Sequence, residues 1–423
     1  MNAIEERLRD AYRAAAQTIP PEAVGTLARR PRPRPRPRRF LVPAAATVAV
    51  LAVAGLVTVV ARNAPPARRP MPAASATPVS LGPVTLSARP SRYFVAFENN
   101  GQGSVYDPLA VYSARTGRLV AALSTPRSAV QPNAAVALGD GRTFIVADTE
   151  GPSNKAVCAG TTRLYRLRLA ADGQPASLDP LALPAIAGYV DTLTATPDGG
   201  TIGYDSLVCD LPLYGTSVIG VVNTATGKVR QWTWRKPGVL ASSLSLSADG
   251  RSLTYLWSRN EVVTRYEGRT LAPWTISQLP AAAAAGRASA VSRSLISGSG
   301  TLPTPVRYQA ALGRTLRYLP AAVTADGRTL YYCVQVPDKS AASSPAGYGM
   351  MAVREYHAAT RATTTVHTFS GRGYCYLSMS GGQLLVGVVN GANIPRTSIF
   401  RLDPRSDAVT SVGDPRNVNP VTW

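Results

Sequence analysis

Few residues in this chain of 423 could do chemistry: there are four cysteines and only two histidines. Cys158, Cys209, Cys333 and Cys375 form no C-x-x-C pair, and neither His357 nor His367 stands at ligand spacing from a cysteine, so a zinc site is not indicated. The two histidines flank a hairpin at 358–361, and no serine or cysteine nucleophile motif accompanies either, so both read as ordinary strand residues. G-x-S-x-G, H-E-x-x-H and P-loop patterns are missing, and the glycines Gly101 and Gly103 are not followed by the helix that a dinucleotide fingerprint requires. Asp198, Asp249 and Asp326 each stand alone in a turn, without the D-x-D-x-D-G array that collects several oxygens around calcium. Local hydrogen bonds to backbone N–H groups are their expected use. The reading is therefore of no catalytic residue, no cofactor and no metal, and of binding rather than catalysis.

The elements carrying these residues repeat. Ala137–Val146, Ala195–Tyr204, Leu246–Tyr255 and Val323–Tyr332 each hold a short strand, an acidic residue and glycine at a turn, then a second strand. Asp-Gly is a strong hairpin signal because a tight turn needs the positive φ that glycine accepts without steric cost. Weaker copies lie at Arg92–Phe97, which lacks the leading turn, and at Ser380–Val386, where glycine replaces the aspartate. A second turn signal follows in most units, at 114–118, 171–173, 224–228 and 358–361, so each unit holds about four strands, the content of a propeller blade. Leu253, Tyr255 and Trp257 alternate, as do Leu330, Tyr332 and Val334, whereas Phe144–Ala147 is apolar on both faces, as suits strands between neighbouring blades. The expected fold is all-β, a six-bladed β-propeller over 84–423; the 77-residue spacing after the fourth turn leaves room for a seventh blade between Ser294 and Tyr318, or for a loop insertion around Ala281–Ala285. Closure of the ring would use an end segment, either a strand at Pro83–Ala88 or the unpaired Asn417–Trp423.

The Asp-Gly-Arg-Thr-Leu-x-Tyr signature, seen at Asp326–Tyr332 and followed by Thr-Gly-type turns, resembles the WD40-like repeat of TolB-type β-propellers. No blade ends in Trp-Asp and no Gly-His pair opens a repeat, which separates the chain from WD40 proper. Together with the N-terminal region described next, the layout is similar to that of membrane-anchored propeller proteins of actinobacteria.

Leu41–Ala61 contains 21 residues without a charge, enough to cross a hydrocarbon layer of ~30 Å as a helix, and 40–61 is read as a transmembrane helix. Seven arginines between Arg29 and Arg39 precede it, against Arg62, Arg68 and Arg69 just beyond, so the N-terminus is expected in the cytoplasm and the propeller outside. Residues 1–39 comprise a short amphipathic helix, opened by the Asn2/Glu5 capping box and striped by Ile4, Leu8, Ala11, Ala15 and Ile19, then the Arg/Pro tract. Residues 62–83 form a proline- and alanine-rich linker.

In an oxidising exterior the cysteines are expected as disulfides, Cys158 with Cys209 and Cys333 with Cys375, each joining adjacent units. The hydrophobic fraction of 45% supports a large core, and residues 70–423 carry 32 basic against 20 acidic residues. Such a surface suits an anionic wall polymer or an acidic protein ligand. The cytoplasmic helix would report to a regulator such as a sigma factor, in an anti-sigma-like manner. Nucleic acid is not expected, since no aromatic residues interleave the arginine tract. The alternative is a lactonase- or hydrolase-like propeller enzyme with a site at the central channel, which needs convergent acids or histidines there.

Overall fold

The computed structural model describes residues 77–423 except 83, 88, 99–108, 124–131, 151–159, 212–213, 235–238, 260–272, 300–320, 325–327, 338–347, 371–374, 391–395 and 414–417; several side chains at strand ends, those of Cys209 and Cys375 included, also lie outside the description. The expected cytoplasmic helix, the span at 40–61 and most of the linker fall outside the described residues. Among the described residues no helix is long and apolar enough to cross a membrane.

The strands form six sheets. Blade one holds β1 (Tyr93–Glu98), β2 (Leu109–Ser113) and β3 (Leu119–Ala122). Blade two holds β4 (Pro132–Ala137), β5 (Thr143–Glu150), β6 (Thr161–Leu169) and β7 (Pro175–Pro180), with β8 (Ile186–Ala187) returning onto β6. Blade three holds β9 (Tyr189–Ala195), β10 (Thr201–Leu211), β11 (Tyr214–Asn223) and β12 (Val229–Thr233). Blade four holds β13 (Val239–Leu246), β14 (Ser252–Arg259), β15 (Pro273–Pro280) and, after the two-residue β16 (Gly286–Arg287) and the single turn α1 (Ala288–Val291), β17 (Arg293–Ser299). Blade five holds β18 (Ala321–Val323), β19 (Thr329–Pro337), β20 (Tyr348–His357) and β21 (Thr363–Ser370); blade six holds β22 (Cys375–Ser380), β23 (Gln383–Asn390), β24 (Arg396–Asp403) and β25 (Ala408–Gly413). The last strand, β26 (Val418–Thr422), pairs with β1 and becomes the innermost strand of blade one.

The innermost strands touch in the order β26, β4, β9, β13, β18, β22 and back to β26. That circle is closed with six members, so the region considered for a seventh blade has no gap to fill. Its described part, β17, is instead the outer strand of blade four.

The expected hairpin chemistry is in place. Gly141, Gly199 and Gly250 adopt φ of 68°, 72° and 68°, and Asp140, Asp198 and Asp249 accept from the amides of Arg142, Gly200 and Arg251 at 2.9, 2.9 and 3.0 Å. These turns fix the register that sends alternate side chains to opposite seams. Phe144 and Val146 pack toward blade one with Val95 and Val111, while Ile145 and Ala147 pack toward blade three with Val190 and Ile202. A continuous apolar run is thus what a strand buried on both faces needs.

The alanine run at 281–285 is a clasp. β16 adds in parallel to the outer edge of β12, Trp232 Nε1 donates to the Ala284 carbonyl at 2.9 Å, and an Arg230 guanidinium N–H donates to that of Ala281 at 3.1 Å. Trp232 is completely buried by it. Small residues let the backbone approach closely enough to cover that indole.

No strand forms among the described residues of the segment expected at Pro83–Ala88. Ser87 Oγ and the Arg89 backbone bond to one another locally, and Pro90 cannot donate to a ladder, so the chain crosses the propeller as a strap. Its contacts reach upstream of residue 84: Val79 bridges to Leu181, and Leu81 is buried between blades two and three against Leu138 and Ile145. Arg166 fixes this entry by donating to the Ser80 and Leu81 carbonyls at 3.1 Å while pairing with Asp179 at 3.1 Å.

The strap ends where the ring closes. Ser91 donates from its amide to Ser380 Oγ at 3.0 Å and from its hydroxyl to the Gly141 carbonyl at 3.0 Å, and its own carbonyl accepts from Trp423 Nε1 at 2.8 Å. The Trp423 amide donates to Ser378 Oγ at 2.9 Å. With 2% of its surface exposed, Trp423 seals the seam between blades six and one. Trp423→Ala is expected to destabilise the propeller by about 3–5 kcal/mol, the usual cost of emptying a buried aromatic site. The unfolding midpoint in urea reports it, and an unchanged midpoint would show that closure does not depend on this residue.

Candidate functional site

The two ends of the propeller differ. Connections from the first to the second strand of a blade, and from the third to the fourth, lie at one end and are mostly tight turns, as at 114–118, 138–142, 170–174, 196–200, 224–228 and 247–251. The strand ends that lead from the second to the third strand, and from one blade to the next, lie at the other end. The strand ends there are joined in sequence by long stretches at 99–108, 151–160, 260–272, 300–320 and 338–347 and by short ones at 212–213 and 391–395. Binding residues concentrate on long connections held by a rigid scaffold, so this second end is the candidate.

Beneath it, the seam between blades two and three carries a directed chain of hydrogen bonds. Thr162 donates to the Gly188 carbonyl at 2.7 Å, which leaves its oxygen to accept from Thr149 Oγ1 at 2.7 Å. Thr149 in turn accepts from Asn133 Nδ2 at 2.9 Å, and the same amide nitrogen also donates to the Val190 carbonyl. Every member stands near the long-connection end of its strand, β4, β5 or β6, or just before β9. Thr149 is placed there by the same alternation that places Ile145 and Ala147 lower in the seam, and Asn133 stands at the register shift of β4 between Pro132 and Ala134.

Two atoms of this seam find no protein partner: the carbonyl oxygen Oδ1 of Asn133, and Oγ of Ser206, a residue 1% exposed. A buried hydroxyl or amide oxygen left without a hydrogen bond costs about 1–3 kcal/mol, so both are built to meet a water or a ligand group. Flanking seams are also polar. Asp148, on the blade-one side, and Asp205, on the blade-four side, are buried carboxylates, and Ser217 Oγ accepts from the Ala241 amide across to blade four at 3.0 Å. Burial, and then the charge of Asp148, hold the Tyr165 hydroxyl above its ordinary pKa. Tyr204 is likewise raised by burial, with Gln231 donating to its oxygen at 2.8 Å. The arrangement can orient polar groups. It offers no activated nucleophile.

The residues singled out in the sequence do not converge. His357 Nδ1 lies 3.3 Å from Thr329 Oγ1 and its Nε2 lies 3.6 Å from Glu355, too far for a hydrogen bond. His367 Nδ1 meets Asp407 at 3.0 Å across blades five and six, with its ring against Phe369. Each histidine has therefore found a carboxylate, but on separate outer positions. Asp198 and Asp249 are turn residues, their carboxyls held below the usual range by Thr196 and Gly200 and by Ser247 and Arg251; Asp326 lies outside the described residues. Among the described residues no group of three His, Cys, Asp or Glu could hold a metal ion. Cys333 is fully buried between blades five and six and is disulfide-bonded. Cys158 and the side chains of Cys209 and Cys375 lie outside the described residues. The hydroxyl chain gave no sequence signal, because Thr, Ser and Asn occur in strands without any such role.

No protein-family model matches the sequence, and neither does any curated protein. Similar solved structures include a TolB from Agrobacterium tumefaciens (16% identity, TM-score 0.45, covering 78% of this chain and 91% of that one). A TolB from Acinetobacter baumannii is also similar (11%, 0.44, 79% and 67%). So is a puromycin-hydrolysing peptidase of Mycobacterium tuberculosis (15%, 0.43, 80% and 45%). Likenesses at this level carry no argument about function, and the assignment as a six-bladed propeller rests on the sheet order above.

Thr162→Val removes a donor and an acceptor from the chain at nearly constant volume and should cost about 1–3 kcal/mol by orphaning Gly188 and Thr149, whereas Thr162→Ser should restore most of it. Thermal unfolding of the two variants checks this; equal midpoints would mean that the chain is dispensable.

Proposed function

We propose that the chain is a single-pass membrane protein whose propeller, outside the cell, binds a polar ligand at the long-connection end over blades two and three. The observation that carries the reading is the pair of partnerless buried atoms, Asn133 Oδ1 and Ser206 Oγ, one an acceptor and the other a donor and acceptor. The basic surplus of the domain favours a ligand that is also anionic, such as a wall polymer or an acidic protein. The N-terminal helix would pass the bound state to a cytoplasmic regulator of the sigma-factor kind.

Binding is favoured over catalysis by what faces the axis. The six inner strands β4, β9, β13, β18, β22 and β26 hold Asp191 as their only charged residue and no histidine; their other polar residues are Asn133, Asn419, serines, threonines and the tyrosines Tyr189 and Tyr376. A lactonase- or hydrolase-like site needs several acids or histidines there.

The Cys333 disulfide fits the same exterior location. Its proposed partner is Cys375, the ladder partner of Val388, which packs with Cys333 in one seam; Cys158 and Cys209 form the second proposed pair. Peptide mapping without reductant should recover these two linkages, and a Cys158–Cys375 peptide would sink the assignment.

The full chain should stay with membranes through alkaline carbonate. Titrated in detergent with a polyanionic glycopolymer, it should bind saturably, and Asn133→Leu should weaken that binding about fivefold, the equivalent of about 1 kcal/mol for one hydrogen bond that Oδ1 accepts from a hydroxyl of the polymer. Release by carbonate refutes the anchor; unsaturable binding, or binding untouched by Asn133→Leu, refutes the site.

A further inference from the structure

Basic residues are spread along the whole propeller sequence, so charge alone selects no face. Three other features select the tight-turn end. The strap runs onto it: after Val79 and Leu81 at blades two and three, the Ser87 amide donates to the Gly139 carbonyl at 2.7 Å, and Ser91 joins the turn at Gly141. Followed toward the N-terminus, that strap leads in sequence to the apolar stretch Leu41–Ala61. The second feature is apolar. Among the described residues the large exposed hydrophobic side chains are Leu86, on the strap at 60%, and Val229, beside the 224–228 turn at 37%, and both lie at this end. The third concerns which charges are free. Arg89, Arg115, Arg118, Arg142 and Lys228 are exposed here without an ion pair among the described residues, while Asp140, Asp172 and Asp198 turn back onto the backbone amides of Arg142, Gln174 and Gly200.

Free cationic side chains around exposed apolar tips match an anionic lipid interface, where the tips enter the headgroup layer and the cations meet phosphates. An acidic protein or a wall polymer would use the charges but leave Leu86 and Val229 in water. We infer that the tight-turn end docks on the anionic headgroups of the membrane that anchors the chain, which leaves the long-connection end facing away from it. This rests on the anchored reading above.

The full chain is reconstituted into vesicles of phosphatidylcholine, with or without a third of phosphatidylglycerol, and backbone hydrogen exchange is followed at 114–118, 138–142 and 224–228. Exchange at these turns should slow by about threefold or more with phosphatidylglycerol, and the protection should vanish at ~0.5 M salt, where exposed charges are screened. It should also vanish in the combined variant Arg115→Glu, Arg118→Glu, Lys228→Glu, whose melting should be unchanged, and persist in Arg163→Glu. A chain that inserts into both vesicles but exchanges alike in them overturns the docking and leaves the anchor standing. Protection by a soluble polyanion but not by the lipid overturns it too. A chain that inserts into neither overturns the anchor, and the docking with it.

Discussion

A circle of sheets has two free edges until its ends meet, and in this protein a single non-covalent seam joins them. β26 supplies the inner strand that blade one lacks, and Trp423 caps the join. Edge strands left open expose rows of unpaired N–H and C=O groups, so the closed ring presupposes this pairing. Ser91 makes the dependence concrete: within one residue it contacts the last residue of the chain, the inner strand of blade six and the first hairpin of blade two.

Around the ring the seams are not equivalent. Between blades five and six the packing is apolar and aromatic, with Met351, Phe369 and Leu384 around Cys333. Between blades two, three and four the same strand positions near the long-connection end carry Thr149, Thr162, Ser206, Asp205 and Ser217. Buried polar groups cost stability unless paired, and bonds from Asn133 to the Val190 carbonyl, from the Leu246 amide to Thr194 and from the Ala241 amide to Ser217 cross these seams, so blades two to four hold one another by directional bonds as well as by burial. The clasp adds backbone pairing between the sheets of blades three and four, and the Gly139 amide donates to the Pro197 carbonyl between the turns of blades two and three at 2.7 Å.

How much of this was legible in the sequence follows from which signals are local. Asp140-Gly141, Asp198-Gly199 and Asp249-Gly250 announced the hairpins because the turn demands those residue types within four positions, and alternation in β14 and the unbroken run in β5 announced buried strands. Blade count followed from counting turns, with uncertainty only where the alanine clasp stretched one interval. In sequence the strap resembles a strand because Val84, Leu86 and Ala88 alternate, whereas Pro90 and the local Ser87–Arg89 bonds decide otherwise. The candidate site was not legible at all. Thr149, Thr162, Asn133 and Ser206 come from four strands in two blades, and each is an unremarked strand residue until the register brings them into one seam.

Closure by the last strand also sets an order in time. A chain made from its N-terminus presents β1, β2 and β3 first, yet blade one stays incomplete until β26 has emerged. Five blades can stack before then, but the ring remains an open arc with one edge of β1 uncovered. A polypeptide that stops shortly before Val418 would therefore carry an unfinished first blade, with one edge of β1 uncovered.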